Sequence, residues 1–461
     1  MLRRSIVAPI LALVLAVVGI TALLGSSIGG PAAVTPSAPS SDVAGTATGG
    51  VSPPATGSPA PTTPTATSSP DATPTAIPSA SPTPSASPVS SPTAVDPALA
   101  ARLQRSLDRY AKRYRLPGAS VTITWPDGRQ WTGSSGFADV AARRAVTADT
   151  AFSIASMSKT FTAALVLKLV EQGRMQLDTP VLNLLPDVRI GRPGRRIPKA
   201  VTVRMLLDHT SGLADFFFGK GVDKALLADR GATWKAARAL GYVGPQLFPP
   251  GKGWHYSNTN YLLLGLIAER VGRGSFASQV REELLDPLGL RHAFVQVDER
   301  PRGPLSVGYY FNSSSSTARP IPLADKTGKV APFTSVVTAA GSAGDLAATT
   351  ADLAAWARAM YGGAVLQRAT LAAAVADARK TARFHPTVRY GLGLQVTKIG
   401  TRTALGHSGR FLGTRGELRY LPNDGLAIAV LANQNGVDLR PLTAALLKIA
   451  LPRTITPSPT P

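Results

Sequence analysis

The 461-residue sequence contains no cysteine. Disulfides, thiolate metal sites, a cysteine nucleophile and a lipid-bearing N-terminal cysteine are therefore excluded. Histidine is scarce as well. The five present are scattered and no His-Glu-x-x-His run occurs, so no metal and no cofactor is expected. Charge is almost missing from the first quarter, where residues 1–95 carry only Arg3, Arg4, Asp42 and Asp71. Residues 27–95 also lack aromatics and are dominated by Pro, Ser, Thr and Ala. Such a stretch buries too little surface to fold and reads as a disordered linker. A Pro-rich chain extends at about 3.1 Å per residue, a reach here of up to roughly 200 Å.

What is present begins with Arg3 and Arg4 ahead of an apolar run over residues 6–24. That run suits a signal peptide or an N-terminal membrane anchor within residues 1–26, and the two arginines orient it with the rest of the chain translocated. No convincing cleavage site follows Leu24, which favours the anchor. The folded part is expected outside the cytoplasm, membrane-anchored or secreted. The 49 basic and 27 acidic residues leave a net charge of +22, all of it on residues 96–461. Anionic cell-envelope polymers are candidate partners for such a surface. The arginines are mostly scattered singly without interleaved aromatics, so nucleic acid is not expected as a partner.

Folded patterning starts near Asp96 and predicts one domain over residues 96–453, then a disordered tail over 454–461. Helical periodicity covers residues 97–114. Residues 119–125 read as a strand, and Pro126-Asp127-Gly128 turns into a second strand over about 130–137. A strongly apolar helix spans about 157–172 and is closed by Gly173. Strand patterns return at 390–396, 403–406, 416–421 and 426–432, and a last helix covers about 441–450. Strands at both ends with helices between predict an α+β fold. Its antiparallel sheet is formed by N- and C-terminal segments and flanked by helices, with a mostly helical inserted subdomain.

Three short motifs carry the chemistry. Ser156-Met157-Ser158-Lys159 is the sole Ser-x-x-Lys of the chain, and it opens a helix that is apolar nearly all round. A lysine in the first turn of a buried helix is unusual. Residues three apart share a helix face, so the Lys159 amine can reach Ser156 Oγ. The helix N-terminus and burial both disfavour the ammonium, and a proton-sharing lysine can help deprotonate a serine. The same helix start offers backbone N–H groups to an oxyanion. The bland alternative is a helix cap followed by a snorkelling lysine.

The second motif is Tyr256-Ser257-Asn258. A phenol beside an ammonium has its pKa lowered, which makes Tyr256 a candidate proton relay to the leaving group. Asn258, two residues on in an extended loop, would offer a donor and an acceptor to a substrate amide. Tyr261 reads as packing. The third motif is His407-Ser408-Gly409, entered from strand-like residues. Gly409 lets a substrate approach closely, and the N–H of Arg410 can pair with that of Ser156 as an oxyanion hole. His407 would add a polar or cationic group near the substrate carboxylate or acyl oxygen; the alternative is a histidine exposed on an edge strand.

In this order the motifs resemble those of the serine β-lactamase and penicillin-binding superfamily. The resemblance is to the branch of class C β-lactamases, DD-carboxypeptidases and esterases, where Tyr-x-Asn is the second motif and His-x-Gly often replaces Lys-Thr-Gly. Residues 149–159, 206–212 and 342–353 resemble that branch too, and the likeness covers about 97–450. It implies Ser156 as the acylated nucleophile, Lys159 as its partner and Tyr256 as the proton relay. Asn258 becomes the substrate-amide contact, and His407 with Gly409 the third motif. Which of Lys159 and Tyr256 accepts the first proton stays open. The implied activity is acyl-enzyme hydrolysis of amide, lactam or ester bonds in small molecules or peptidoglycan peptides. A D-alanyl-D-alanine carboxypeptidase or related β-lactamase-like hydrolase is the first choice. The alternative is a penicillin-binding or -sensing domain with little turnover, or a silent member of the same fold.

Three decoys are set aside. Lys326-Thr327-Gly328 precedes the 342–353 stretch, whereas the third motif of relatives follows it. Gly25-Ser26-Ser27-Ile28-Gly29 abuts the apolar run rather than a strand–helix turn. His209 beside Asp208 suggests a Ser-His-Asp triad but reads as a structural turn. Arg410 stands where relatives carry a small residue, with Arg415 and Arg419 nearby. Either its cation selects carboxylate-bearing acyl donors or it points to solvent.

Overall fold

The structure is a computed structural model that describes residues 94–311, 318–324, 327–376, 378–381 and 387–451. The apolar run at 6–24, the linker up to residue 93, the tail from 454 and Lys326 of the Lys-Thr-Gly decoy lie outside the described residues. Among the described residues no helix is long and apolar enough to cross a membrane.

The fold opens with helix α1, Pro97–Tyr114, whose start is set by Asp96 accepting from the Leu99 N–H at 2.8 Å and by Pro97 at the first position. Strands β1 (Gly118–Thr124), β2 (Gln130–Asp139) and β3 (Arg144–Ala145) follow. From the C-terminal part come β4 (Arg379–Lys380), β5 (Arg389–Tyr390), β6 (Gln395–Ile399), β7 (Arg402–Phe411), β8 (Thr414–Leu421) and β9 (Leu426–Ala432). They form one nine-stranded sheet in the order β4-β5-β6-β7-β8-β9-β1-β2-β3, joined at its centre by the antiparallel pair β9–β1. The two ends of the domain thus close one sheet, as the sequence predicts.

The sheet's two faces are covered differently. On one, Val121, Ile123, Ile428 and Val430 pack with Leu103 and Leu107 of α1 and with Leu442 and Leu446 of a C-terminal helix, Arg440–Ala450. On the other lie the inserted helices: α2 (Ser158–Glu171), α3 (Asn258–Gly272) and α4 (Thr350–Gly362). Trp356 of α4 stacks on Phe161 of α2 at 4.0 Å and donates to Thr160 Oγ1 at 2.9 Å. Every residue of α2 from Ser158 to Leu167 is buried, so this helix is the axis of the inserted part.

Two strand boundaries differ from the sequence reading. The 390–396 run is broken into β5 and β6 because Gly391 to Leu394 form a tight turn, with Gly391 N–H donating to Leu394 O and Gly393 at φ +84°. The 403–406 run extends to Phe411, through the third motif. Its ladder with β6 stops at Gln395↔Gly406, while the ladder with β8 continues to Phe411↔Thr414. Among the described residues no strand forms a ladder with residues 407–411 on the side away from β8.

Candidate active site

A short 3₁₀ turn, Ala155–Met157, precedes α2 and presents Ser156 half-exposed at the helix start. Ala155 takes φ +51°, a left-handed conformation costly for a residue with a Cβ. That sharp turn lifts Ser156 towards β7. Lys159, one helical turn on, is fully buried, and its Nζ donates to Ser156 Oγ at 3.2 Å, Asn258 Oδ1 at 2.8 Å and Ala343 O at 2.6 Å. Burial holds its pKa down to about 7, opposed by the nearby carboxyls of Asp215 and Asp345. This lysine is no snorkelling side chain. It is a dehydrated amine poised to lose its proton near neutrality.

Tyr256 is half-buried as a residue, but its hydroxyl is enclosed and hydrogen-bonded with the Ser156 side chain. Lys159 Nζ lies 5.0 Å from its ring centroid. The expected lowering of the phenol pKa does not occur. Burial pushes it well above its ordinary value, because the dehydration that neutralises the lysine penalises phenolate as well. In the resting site Tyr256 is thus a proton donor and Lys159 the readier acceptor.

Asn258 does not sit in an extended loop. It is the first residue of α3, with Ser257 as the extended cap. Its Oδ1 accepts from Lys159, and its Nδ2 donates to Asp215 Oδ2 at 2.7 Å. Tyr261 packs as expected, fully buried with its hydroxyl donating to Leu207 O at 2.9 Å.

The third motif reaches the site through its backbone. A Cβ at Gly409 would lie 2.4 Å from Ile154 O and 3.1 Å from Met157 Cε, so the glycine lets β7 seat against the Ser156 turn. The expected close approach is therefore made by the chain itself. Ser408 N–H points to the side of β7 away from β8, where Gln395 Oε1 accepts it at 3.1 Å. Alternate N–H groups of a strand point the same way, so that of Arg410 also faces the side away from β8. This is the direction an oxyanion donor needs.

His407 is neither cationic nor exposed. It is buried, and burial lowers its pKa to about 3. Its Nδ1 lies 2.6 Å from Ser408 O and its Nε2 2.9 Å from the Tyr390 hydroxyl. A carbonyl can only accept, so Nδ1 carries the proton and Nε2 accepts from Tyr390. The Arg410 side chain is corrected too. Gly409 faces Ser156, so Arg410 stands on the opposite sheet face, paired with Arg415 and half-buried. It neither reaches toward the nucleophile nor extends freely to solvent.

His209 is no triad member. Its Nδ1 accepts from Ser257 N–H at 3.3 Å and Asn260 Nδ2 at 3.0 Å, at φ +64° in a buried turn. Its ring packs 4.4 Å from that of Tyr256 and so supports the second motif.

A family model described as Beta-lactamase matches residues 103–451. The chain belongs to the Beta-lactamase family. Penicillin-binding protein 4 of Amycolatopsis lactamdurans is 29% identical over 375 residues, spanning 77% of this chain and 93% of that protein. Esterase EstB of Burkholderia gladioli is 34% identical over 201 residues, spanning 42% of this chain and 51% of the esterase. A solved D-stereospecific amidohydrolase from Streptomyces sp. superposes with a TM-score of 0.65 at 27% identity, covering 76% of this chain and 98% of that one. This member of the Beta-lactamase family is a serine hydrolase whose subtype these relatives leave open.

The family's motifs did not point to Asp215, Asp345, Tyr390 or Gln395. Asp215 caps the Phe216–Phe218 turn and holds Asn258. Asp345 is buried close enough to feel Lys159, and burial with Asp298 raises its pKa to about 8. Asp215 lies three residues past the quoted 206–212 stretch and Asp345 inside 342–353, where attention to acids would have found them. Tyr390 and Gln395 carry no local signal.

Proposed function

We propose that this chain is an exported hydrolase that works through an acyl ester on Ser156, with D-alanyl-D-alanine peptides as its preferred class of substrate. The observation that carries the reading is the 3.2 Å contact of the fully buried Lys159 Nζ with Ser156 Oγ. As Oγ attacks an amide, lactam or ester carbonyl, Lys159 takes the hydroxyl proton. The N–H groups of Ser156 and Arg410 hold the oxyanion, each donor contributing on the order of 3 kcal/mol. Tyr256 gives its proton to the leaving nitrogen or oxygen and regains one from the Lys159 ammonium. Water then repeats the attack with the same groups and frees Ser156. Asn258 keeps a second N–H and a second lone pair for the substrate amide. His407 acts as a neutral brace beneath the strand rather than as a substrate ligand.

An extended peptide would lie along the side of residues 407–411 away from β8, beyond the point where the ladder with β6 ends at Gly406, with the main chain of Arg410 rather than of Ser408 as its contact. Among relatives, one is named a penicillin-binding protein and one a D-stereospecific amidohydrolase, which favours the same class. Export rests on Arg3, Arg4 and the apolar run, and the linker would carry the domain from a membrane-held N-terminus into the cell wall. The +22 charge suits anionic envelope polymers as neighbours.

Incubation with a fluorescent penicillin and a fluorophosphonate, followed by intact mass, tests this. Transient adducts on Ser156 mark a hydrolase. Lasting penicillin adducts mark the second reading, a penicillin-binding domain with little turnover. Labelling that survives Ser156→Ala removes the site assignment.

A further inference from the structure

We propose that Asp215 is a positioning residue that orients the Asn258 amide and, through it, aims Lys159 at Ser156. The proposal rests on the reading of Lys159 as the group that deprotonates Ser156. Asp215 is buried, 4% exposed, and its two oxygens are committed: Oδ1 accepts from Phe217 N–H at 3.0 Å and Oδ2 from Asn258 Nδ2 at 2.7 Å. Burial raises the Asp215 pKa, opposed by the N–H groups of Phe217 and Asn258 and by Lys159; with both oxygens accepting, it acts as a carboxylate, so Asn258 turns its NH₂ to Asp215 and its oxygen to Lys159. Without that carboxylate the amide is free to flip, because its two ends are nearly the same shape.

The orientation matters at Lys159. An amine has four tetrahedral directions, one taken by its own carbon. Asn258 Oδ1 and Ala343 O, at 2.8 and 2.6 Å, are both acceptors and hold two N–H groups. The remaining direction faces Ser156 Oγ at 3.2 Å. In the neutral amine that direction is the lone pair. The two carbonyl oxygens therefore point the base at the hydroxyl, and one of them is held in place by Asp215 alone among the hydrogen bonds described.

Charge adds a second effect. The groups facing Lys159 are the carboxyls of Asp215 and Asp345, the phenols of Tyr256 and Tyr261, and the imidazoles of His209 and His407. Asp215 is the larger of the two carboxyl influences that favour the ammonium. Removing its charge lowers the Lys159 pKa, so the acid limb of the acylation rate moves to lower pH.

The experiment measures the second-order rate of fluorophosphonate labelling from pH 5 to 9. It compares wild type, Asp215→Asn and the exchange variant Asp215→Asn/Asn258→Asp, with Ser156→Ala as control. The single variant is expected to lose about 10²-fold at its optimum, the scale of a misplaced catalytic group, with its acid limb below that of wild type. The exchange variant puts a carboxylate directly against Lys159 and restores an obligate acceptor there. It should recover at least tenfold over the single variant, with its acid limb above that of wild type. A purely structural role would not move the limb in opposite directions. Equal rates and an unmoved limb in Asp215→Asn overturn the proposal. Should that variant lose its cooperative melt, the exchange variant decides: a raised limb supports the role and an unmoved limb overturns it. Labelling that persists in Ser156→Ala would instead strike the underlying site assignment, a distinct failure.

Discussion

The Tyr390 hydroxyl donates to Nε2 of His407 across 2.9 Å, while Nδ1 of the same ring donates to Ser408 O at 2.6 Å. One buried imidazole thus ties β5 to the strand that presents Gly409 and Arg410. Tyr390→Phe removes the donor and leaves Nε2 buried without a partner. The cost of such an orphaned acceptor is about 1–3 kcal/mol. Urea denaturation of the domain checks this, and an unchanged midpoint would show that the pair contributes nothing.

The same burial makes stability fall in acid. His407 titrates at about 3 in the folded chain instead of its ordinary 6.5. Below pH 6.5 the unfolded chain binds a proton here that the folded chain refuses, so stability present above that pH is lost on acidification. Between pH 7 and 5 the loss from this ring is about 2 kcal/mol, and His209, also held far below its ordinary value, adds in the same direction. His407→Gln should flatten the dependence by that amount. A variant that weakens as steeply as wild type over this range contradicts a neutral buried ring.

Lys159→Arg separates an amine base from a mere cation. A guanidinium keeps its charge at every relevant pH, so it can hold Asn258 yet never take the Ser156 proton. Labelling by fluorophosphonate should slow by about 10²–10⁴-fold, the usual contribution of a positioned acid or base. A rate near wild type would assign the first proton transfer to Tyr256.

Local chemistry was legible in the sequence; long-range burial was not. Helix 97–114 is bounded by signals that act within four residues, Asp96 and Pro97 at its start, and it was read to the residue. Ser156 and Lys159 meet because a helix makes them meet, so their contact needed no tertiary knowledge. The pKa of Tyr256 needed it. The motif places a lysine beside the phenol but cannot say that both are dry, and dehydration outweighs the pair's attraction. The Arg410 side chain meets a similar limit. Its side-chain direction is fixed by strand alternation, which is only visible once Gly409 is known to face Ile154. Asp215 and Tyr390 act across 43 and 17 residues of chain, where spacing carries no signal.

Arg410→Ala follows from that correction. The substitution keeps the backbone N–H and removes a side chain that lies on the face away from Ser156. The ratio of kcat/KM for a carboxylate-bearing ester to that for its methyl ester should stay within about twofold, since no charge near the acyl site changes. A tenfold loss of preference for the carboxylate would restore a substrate role for the guanidinium.

Gly409→Ala probes the seat between strand and nucleophile turn. The new methyl would sit 2.4 Å from Ile154 O, a backbone atom that cannot rotate aside. Either β7 or the Ser156 turn must shift by about 1 Å, and overpacking of this kind costs about 1–3 kcal/mol. Ser156 lies two residues after Ile154, and the Arg410 N–H belongs to the next residue, so the shift parts the hydroxyl from its oxyanion donor. A misplacement of that size lowers kcat/KM by about 10²-fold. Gly416→Ala is the comparison, because its methyl meets Met157 Cε at 2.3 Å and Leu431 Cδ2 at 2.8 Å, both ends of side chains that can yield. The two variants should lose similar stability while Gly409→Ala alone loses most of its rate. Equal rate losses would mean that the close approach at Gly409 serves packing and not the alignment of the acyl site.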